Sequence, residues 1–73
     1  MEEFIENFHE ILEDTERNQI NQNTEYKNLD EWDSMVALLL IAMVDEKYGK
    51  QIIGTDIKEC LTLENLYTRI QSK

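Results

Sequence analysis

The chain has 73 residues, 16 of them Asp or Glu against 7 Lys or Arg, for a formal net charge of −9. So short a chain buries only roughly 60% of its unfolded surface, which excludes a large enzyme with a deep cleft between several layers and leaves a single domain over residues 1–73. The acidic balance argues against nucleic acid as a partner, because neutralising phosphates takes clustered Lys and Arg and the seven here are scattered.

The opening Met-Glu-Glu-Phe has no cationic stretch followed by an apolar run and a cleavage site, so no secretion signal is expected. Phe4, Ile5, Phe8, Ile11 and Leu12 recur at three- and four-residue steps, which predicts an amphipathic first helix from about Glu3 to Glu16. His9 reads as a partly exposed surface residue, and the glutamates as a solvated face. From Arg17 to Asp33 the chain turns Asn- and Gln-rich, with Ile20, Tyr26, Leu29 and Trp32 as isolated apolar points. This predicts a long loop pinned at intervals, of a length that is usually functional or disordered, and the pinning favours function. Charge is concentrated here: residues 1–33 hold eleven acids against Arg17 and Lys27, whereas residues 34–73 are balanced.

Asp33 or Ser34 can cap a second helix that runs to about Tyr48, with Gly49 ending it. Its apolar run from Met35 to Val44 is ten residues, about half of what a bilayer span needs, so membrane insertion is not expected. At roughly 100° per residue, centring the inward face on Val44 brings Ala37, Leu40, Ile41 and Tyr48 to one side. Met35, Leu39, Ala42 and Glu46 then fall opposite, with Val36 and Met43 at one flank. This is more apolar surface than a core needs. Thr55 can cap a short third helix carrying Ile57, Cys60 and Leu61. Thr62 can cap a last helix with Leu63, Leu66, Tyr67 and Ile70 inward, Glu64 near its positive end and Arg69 and Lys73 near its negative end. Cys60, the single cysteine, cannot form an internal disulfide and reads as a small core thiol in a reduced, cytoplasmic setting. The expected fold is all-α, a small four-helix bundle of three longer helices and one short one, with the long loop between the first two.

The informative stretch is Leu29-Asp30-Glu31-Trp32-Asp33-Ser34-Met35, in which a long polar loop delivers an Asp-Ser pair to the start of an apolar helix. Alone, Asp-Ser before a helix is a cap. A serine there is also exposed, and a phosphate on it would lie at the positive end of the helix dipole beside unpaired N–H groups. With this signature at mid-chain in a short acidic sequence, the chain resembles the acyl carrier protein family, including peptidyl and D-alanyl carriers, over nearly its whole length. Trp32 matches the Trp-Asp-Ser form of many freestanding carriers. The resemblance implies that Ser34 is esterified with 4′-phosphopantetheine, taken from coenzyme A by a Mg²⁺-dependent phosphopantetheinyl transferase. Acyl or aminoacyl groups would then ride as thioesters on the terminal thiol of that arm. Asp33, by the same resemblance, would orient the site and contact the metal region of the transferase. Loading ligases and downstream transferases or synthases would read Met35 and the exposed side of helix II, for which Val36, Leu39, Met43 and Glu46 are the candidates. The protein would be a monomeric shuttle without catalytic residues or a metal of its own, since the transferase and not a local base activates Ser34.

The chain also departs from the family pattern. The Gly often found before the Asp-Ser pair is replaced by Trp32, Met35 stands where Leu is commoner, and Val36 and Leu39 occupy positions where many fatty-acid carriers place acids. These differences point away from general fatty-acid synthesis, toward an apolar docking surface and only modest salt dependence of partner binding. Two other readings use the same residues. An acidic helical adaptor would dock a partner on Met35, Val36, Leu39 and Met43 with no prosthetic group. A calcium loop counted from Asp14 puts Glu16 at position 3, Asn18 at 5 and Glu25 at 12, but Gln19 stands where the sharp turn needs Gly.

Overall fold

The spacing of Phe4, Ile5 and Phe8 produces a helix, α1 (Glu2–Glu10), that buries all three side chains. The computed structural model describes every residue from Met1 to Lys73. Three more helices follow, α2 (Ser34–Tyr48), α3 (Gly54–Glu59) and α4 (Leu63–Gln71), and there are no strands. The fold is therefore all-α, with three longer helices and one short one. No helix is long and apolar enough to cross a membrane.

α1 is shorter than its apolar pattern predicts, ending at Glu10 and not at Glu16. The Ile11 and Leu12 N–H groups bond the carbonyls of Phe8 and His9, tightening the last turn. The next two N–H groups, of Glu13 and Asp14, then leave the helical ladder and donate to the Glu31 carboxylate. Ile11 and Leu12 still pack on the core from outside the helix.

α2 is bounded by its local signals. Asp33 is the N-cap, its Oδ1 accepting the Val36 N–H at 2.9 Å. Gly49 closes the far end at φ 65°, in the left-handed region where a side chain would be strained, and its N–H donates to the Asp45 carbonyl. Thr62 caps α4 as expected: its hydroxyl accepts the Asn65 N–H at 3.1 Å, while Asn65 Oδ1 accepts the Thr62 N–H at 3.2 Å. α3 starts one residue before Thr55, and Thr55 does not cap it. The Asp56 carboxylate reaches back to the Ile53 N–H at 2.9 Å. α3 ends before Cys60, so Leu61 lies beyond it and is 54% exposed.

The core lies where α1 packs on α2 and α3 on α4. Phe4 joins the pairs, its ring 6.0 Å from Tyr48 of α2 and 5.4 Å from Tyr67 of α4. Phe8, Leu40, Val44, Leu63, Leu66 and Ile70 are fully buried with it, each contributing about 1.5–3 kcal/mol of burial free energy. Cys60 is a buried free thiol.

The long loop is part of this core. It contains two short 3₁₀ turns, Arg17–Gln19 and Tyr26–Asn28, and buries Ile20 and Tyr26 completely or nearly so, with Leu29 and Trp32 packed against them. The Tyr26 hydroxyl donates to the carbonyls of Ile57 (2.7 Å) and Cys60 (3.2 Å) at the end of α3. The Thr24 and Gln22 carbonyls accept the Leu63 and Glu64 N–H groups, which the first turn of α4 would otherwise leave unpaired. The loop thus supplies the missing partners of two helix ends.

Candidate functional site

Ser34 is the first helical residue of α2 and is exposed. Asp33 supplies the capping acceptor, so the Ser34 hydroxyl is engaged in no hydrogen bond. The N–H groups of Ser34 and Met35 precede the first bond of the helical ladder, which runs from the Ala37 N–H to the Asp33 carbonyl. They are left unpaired at the positive end of a 15-residue helix. No imidazole or carboxylate is bonded to the hydroxyl, so it has no local base. Any reaction at this accessible hydroxyl would need a base from outside the chain.

The expected partner-facing residues divide. Met35 is 61% exposed and Leu39 42%, and Glu46 is exposed further along the same side. Val36 and Met43, by contrast, are buried at 7% and 6% exposure and belong to the core. The reason is a rotation: the buried face of α2 is centred on Leu40, not on Val44, and four residues at roughly 100° each displace it by about 40°. That displacement carries Val36 and Met43 inward and leaves Ala37, Ile41 and Tyr48 only half-buried. It also turns Leu38 outward to 61% exposure, a residue that the sequence reading did not single out. Leu38 stands four residues after Ser34, hence one turn along on the same face, and that spacing is the signal that could have found it. The exposed face of α2 is therefore Ser34, Met35, Leu38, Leu39 and Ala42, with Asp45 and Glu46 at its end.

A cleft of about 450 Å³ opens beside this face. Its apolar lining is Ile11, Trp32, Met35, Val36 and Leu39, and its polar lining is Glu13, Asp14, Asp30, Glu31 and Asp33. The surroundings of Ser34 are thus acidic as well as apolar, which corrects the expectation of a purely apolar surface there. No Lys or Arg lies in sequence between Lys27 and Lys47 to offset those carboxylates.

Glu31 organises the cleft wall. Its Oε1 accepts the Glu13 N–H at 2.8 Å, and its Oε2 accepts the Asp14 N–H at 3.0 Å and the Thr15 hydroxyl at 2.6 Å. The Thr15 hydroxyl and these N–H donors hold its carboxyl below the ordinary carboxylate range. His9 Nε2–H donates to the Thr15 carbonyl at 3.0 Å from the other side, so this half-buried histidine anchors the loop. Neither Glu31 nor Thr15 carries a local sequence signal, because the partners are 16 to 18 residues apart.

No three His, Cys, Asp or Glu side chains are grouped so as to hold a metal ion, and the calcium-loop spacing from Asp14 has no coordinating geometry. Comparison of the chain with protein-family models, with curated proteins and with solved structures finds no match.

Proposed function

We propose that the protein is a carrier whose Ser34 accepts 4′-phosphopantetheine from coenzyme A, and that it shuttles acyl or aminoacyl thioesters between partner enzymes as a cytoplasmic monomer. The observation that carries this reading is the free Ser34 hydroxyl, exposed on the first residue of a long apolar helix whose cap is supplied by its neighbour. In the transfer, the serine oxygen forms the new phosphodiester, the pyrophosphate link of coenzyme A breaks, 3′-phosphoadenosine monophosphate leaves, and the hydroxyl proton passes to the transferase.

The residues present fit such a group. The N–H groups of Ser34 and Met35 are unpaired at the start of α2 and would be available to a phosphodiester on Ser34. Asp33 is spent on the cap at Oδ1, and its Oδ2, which takes part in no hydrogen bond, would be available to a transferase-bound metal. The carboxylates lining the neighbouring cleft would repel a phosphate placed among them. When attached, the arm supplies a terminal thiol for thioester formation.

The deciding experiment is intact mass after incubation with coenzyme A, Mg²⁺ and a promiscuous phosphopantetheinyl transferase. Wild type should gain one phosphopantetheine, and Ser34→Ala should gain none while keeping its helical content and its midpoint of unfolding. A folded wild type that gains nothing beside an active control rejects the reading. One observation favours a second reading, an adaptor without a prosthetic group: Met35, Leu38 and Leu39 form an exposed apolar stripe that needs no arm to bind a partner.

A further inference from the structure

The Glu31 carboxylate binds three donors from the segment after α1, and it stands three residues before Ser34. The Glu13 and Asp14 N–H groups are those that a longer α1 would have turned to its own carbonyls, so the contact ends that helix and closes the long loop. The residue after Glu31 is tied elsewhere: the Trp32 ring packs edge-on to the buried Tyr26 at 5.3 Å and 64°. Adjacent side chains thus hold the approach to Ser34 between the exit of α1 and the core. We infer that Glu31 is a positioning residue whose carboxylate fixes the segment presenting Ser34, and with it the surface on which a phosphopantetheinyl transferase docks. The inference rests on Ser34 being the acceptor. A carrier with its approach loop released is not competent to dock, so its apparent KM rises as the competent fraction falls, while transfer after docking keeps its rate.

The test is the loading kinetics of Glu31→Gln, Thr15→Val and Thr15→Ser at saturating coenzyme A, with amide exchange at Glu13 and Asp14 followed by NMR. Glu31→Gln replaces one acceptor oxygen with an N–H donor, so it should remain folded, lose protection at whichever of those two amides then faces the donor, and raise the KM for the carrier about five- to tenfold with kcat within about twofold. Thr15→Val should raise KM less, and Thr15→Ser, which keeps the hydroxyl, should match wild type. Combining Glu31→Gln with Thr15→Val should raise KM by less than the two effects multiplied, because the Thr15 hydroxyl acts only through its bond to Glu31. An unchanged KM in Glu31→Gln despite lost protection overturns the inference. A fall in kcat at constant KM overturns it too, by placing Glu31 in the transfer step. Should Glu31→Gln fail to fold, equal KM values for Thr15→Val and Thr15→Ser decide against it. If wild type itself is not loaded, the carrier reading fails and the inference with it; if wild type loads and the variants match it, only the inference fails.

Discussion

Asp56 is the one buried charged residue of the chain, at 4% exposure. Its Oδ1 accepts from Arg69 at 2.7 Å, and its Oδ2 accepts from Lys73 Nζ at 3.0 Å and from the Ile53 N–H at 2.9 Å. One side chain therefore starts α3 and ties it to the end of α4. The Ile53 N–H, with Arg69 and Lys73 behind it, holds the Asp56 carboxyl down at about 2, below its ordinary 3.8. A depressed carboxyl stabilises the fold above the unfolded value and loses that contribution as pH falls through the folded one. We expect about 1–2 kcal/mol of stability to vanish between about pH 4 and pH 2, after allowance for the solvent reaching Arg69 and Lys73. Urea unfolding at a series of pH values should show it, and Asp56→Asn should flatten the slope; an equal slope in the variant would assign the acid sensitivity elsewhere. Tyr26 has the opposite sign. Burial raises its phenol above the ordinary 10, so its contribution holds below that value and is lost as pH climbs past it.

At the scale of an element, α2 has apolar residues on both sides. Leu40 and Val44 are fully buried, whereas Met35 and Leu38 are each 61% exposed. The two faces should respond differently to substitution. Leu40→Ala removes a fully enclosed side chain and should cost about 2–5 kcal/mol, a large share of a small domain's stability. Leu38→Glu touches no core group and should stay within about 0.5 kcal/mol of wild type, while weakening capture by a partner enzyme. Denaturant unfolding measures the first effect, and transferase kinetics or titration with a partner enzyme the second. If Leu38→Glu leaves every partner interaction intact, the exposed stripe has no docking role.

Across the whole molecule, charge is divided by position in the chain: eleven of the sixteen acids precede Ser34, and five line the cleft beside it. The molecule measures 29 × 24 × 21 Å. At about 10 mM salt the screening length of roughly 30 Å spans it, so the carboxylates attract a basic surface together; at about 150 mM, roughly 8 Å leaves only local charges. In place of the modest salt dependence that an apolar surface alone would give, the cleft carboxylates lead us to expect association with a basic partner to weaken about tenfold across that range, mostly through a slower on-rate. Binding kinetics at graded ionic strength will test this, and a flat response would assign recognition to the apolar stripe alone.

The amino-acid sequence by itself determined the features set by near neighbours. The all-α class, the extent of α2 between Asp33 and Gly49, and the start of α4 at Thr62 depend on bonds spanning three or four residues, which any reading of the chain contains. The pinned character of the long loop was legible for a similar reason, because Ile20, Tyr26, Leu29 and Trp32 stand out against their polar surroundings. Only the tertiary structure decided where α1 stops, since the group that takes its N–H donors, Glu31, lies 17 or 18 residues further on. It alone decided the rotation of α2, because a helix apolar on both sides has no preferred inward face until a neighbour such as α1 settles against it. Val36 and Met43 thereby entered the core and Leu38 came to the surface. Local bonds are written in the order of residues, whereas burial depends on which distant elements pack together.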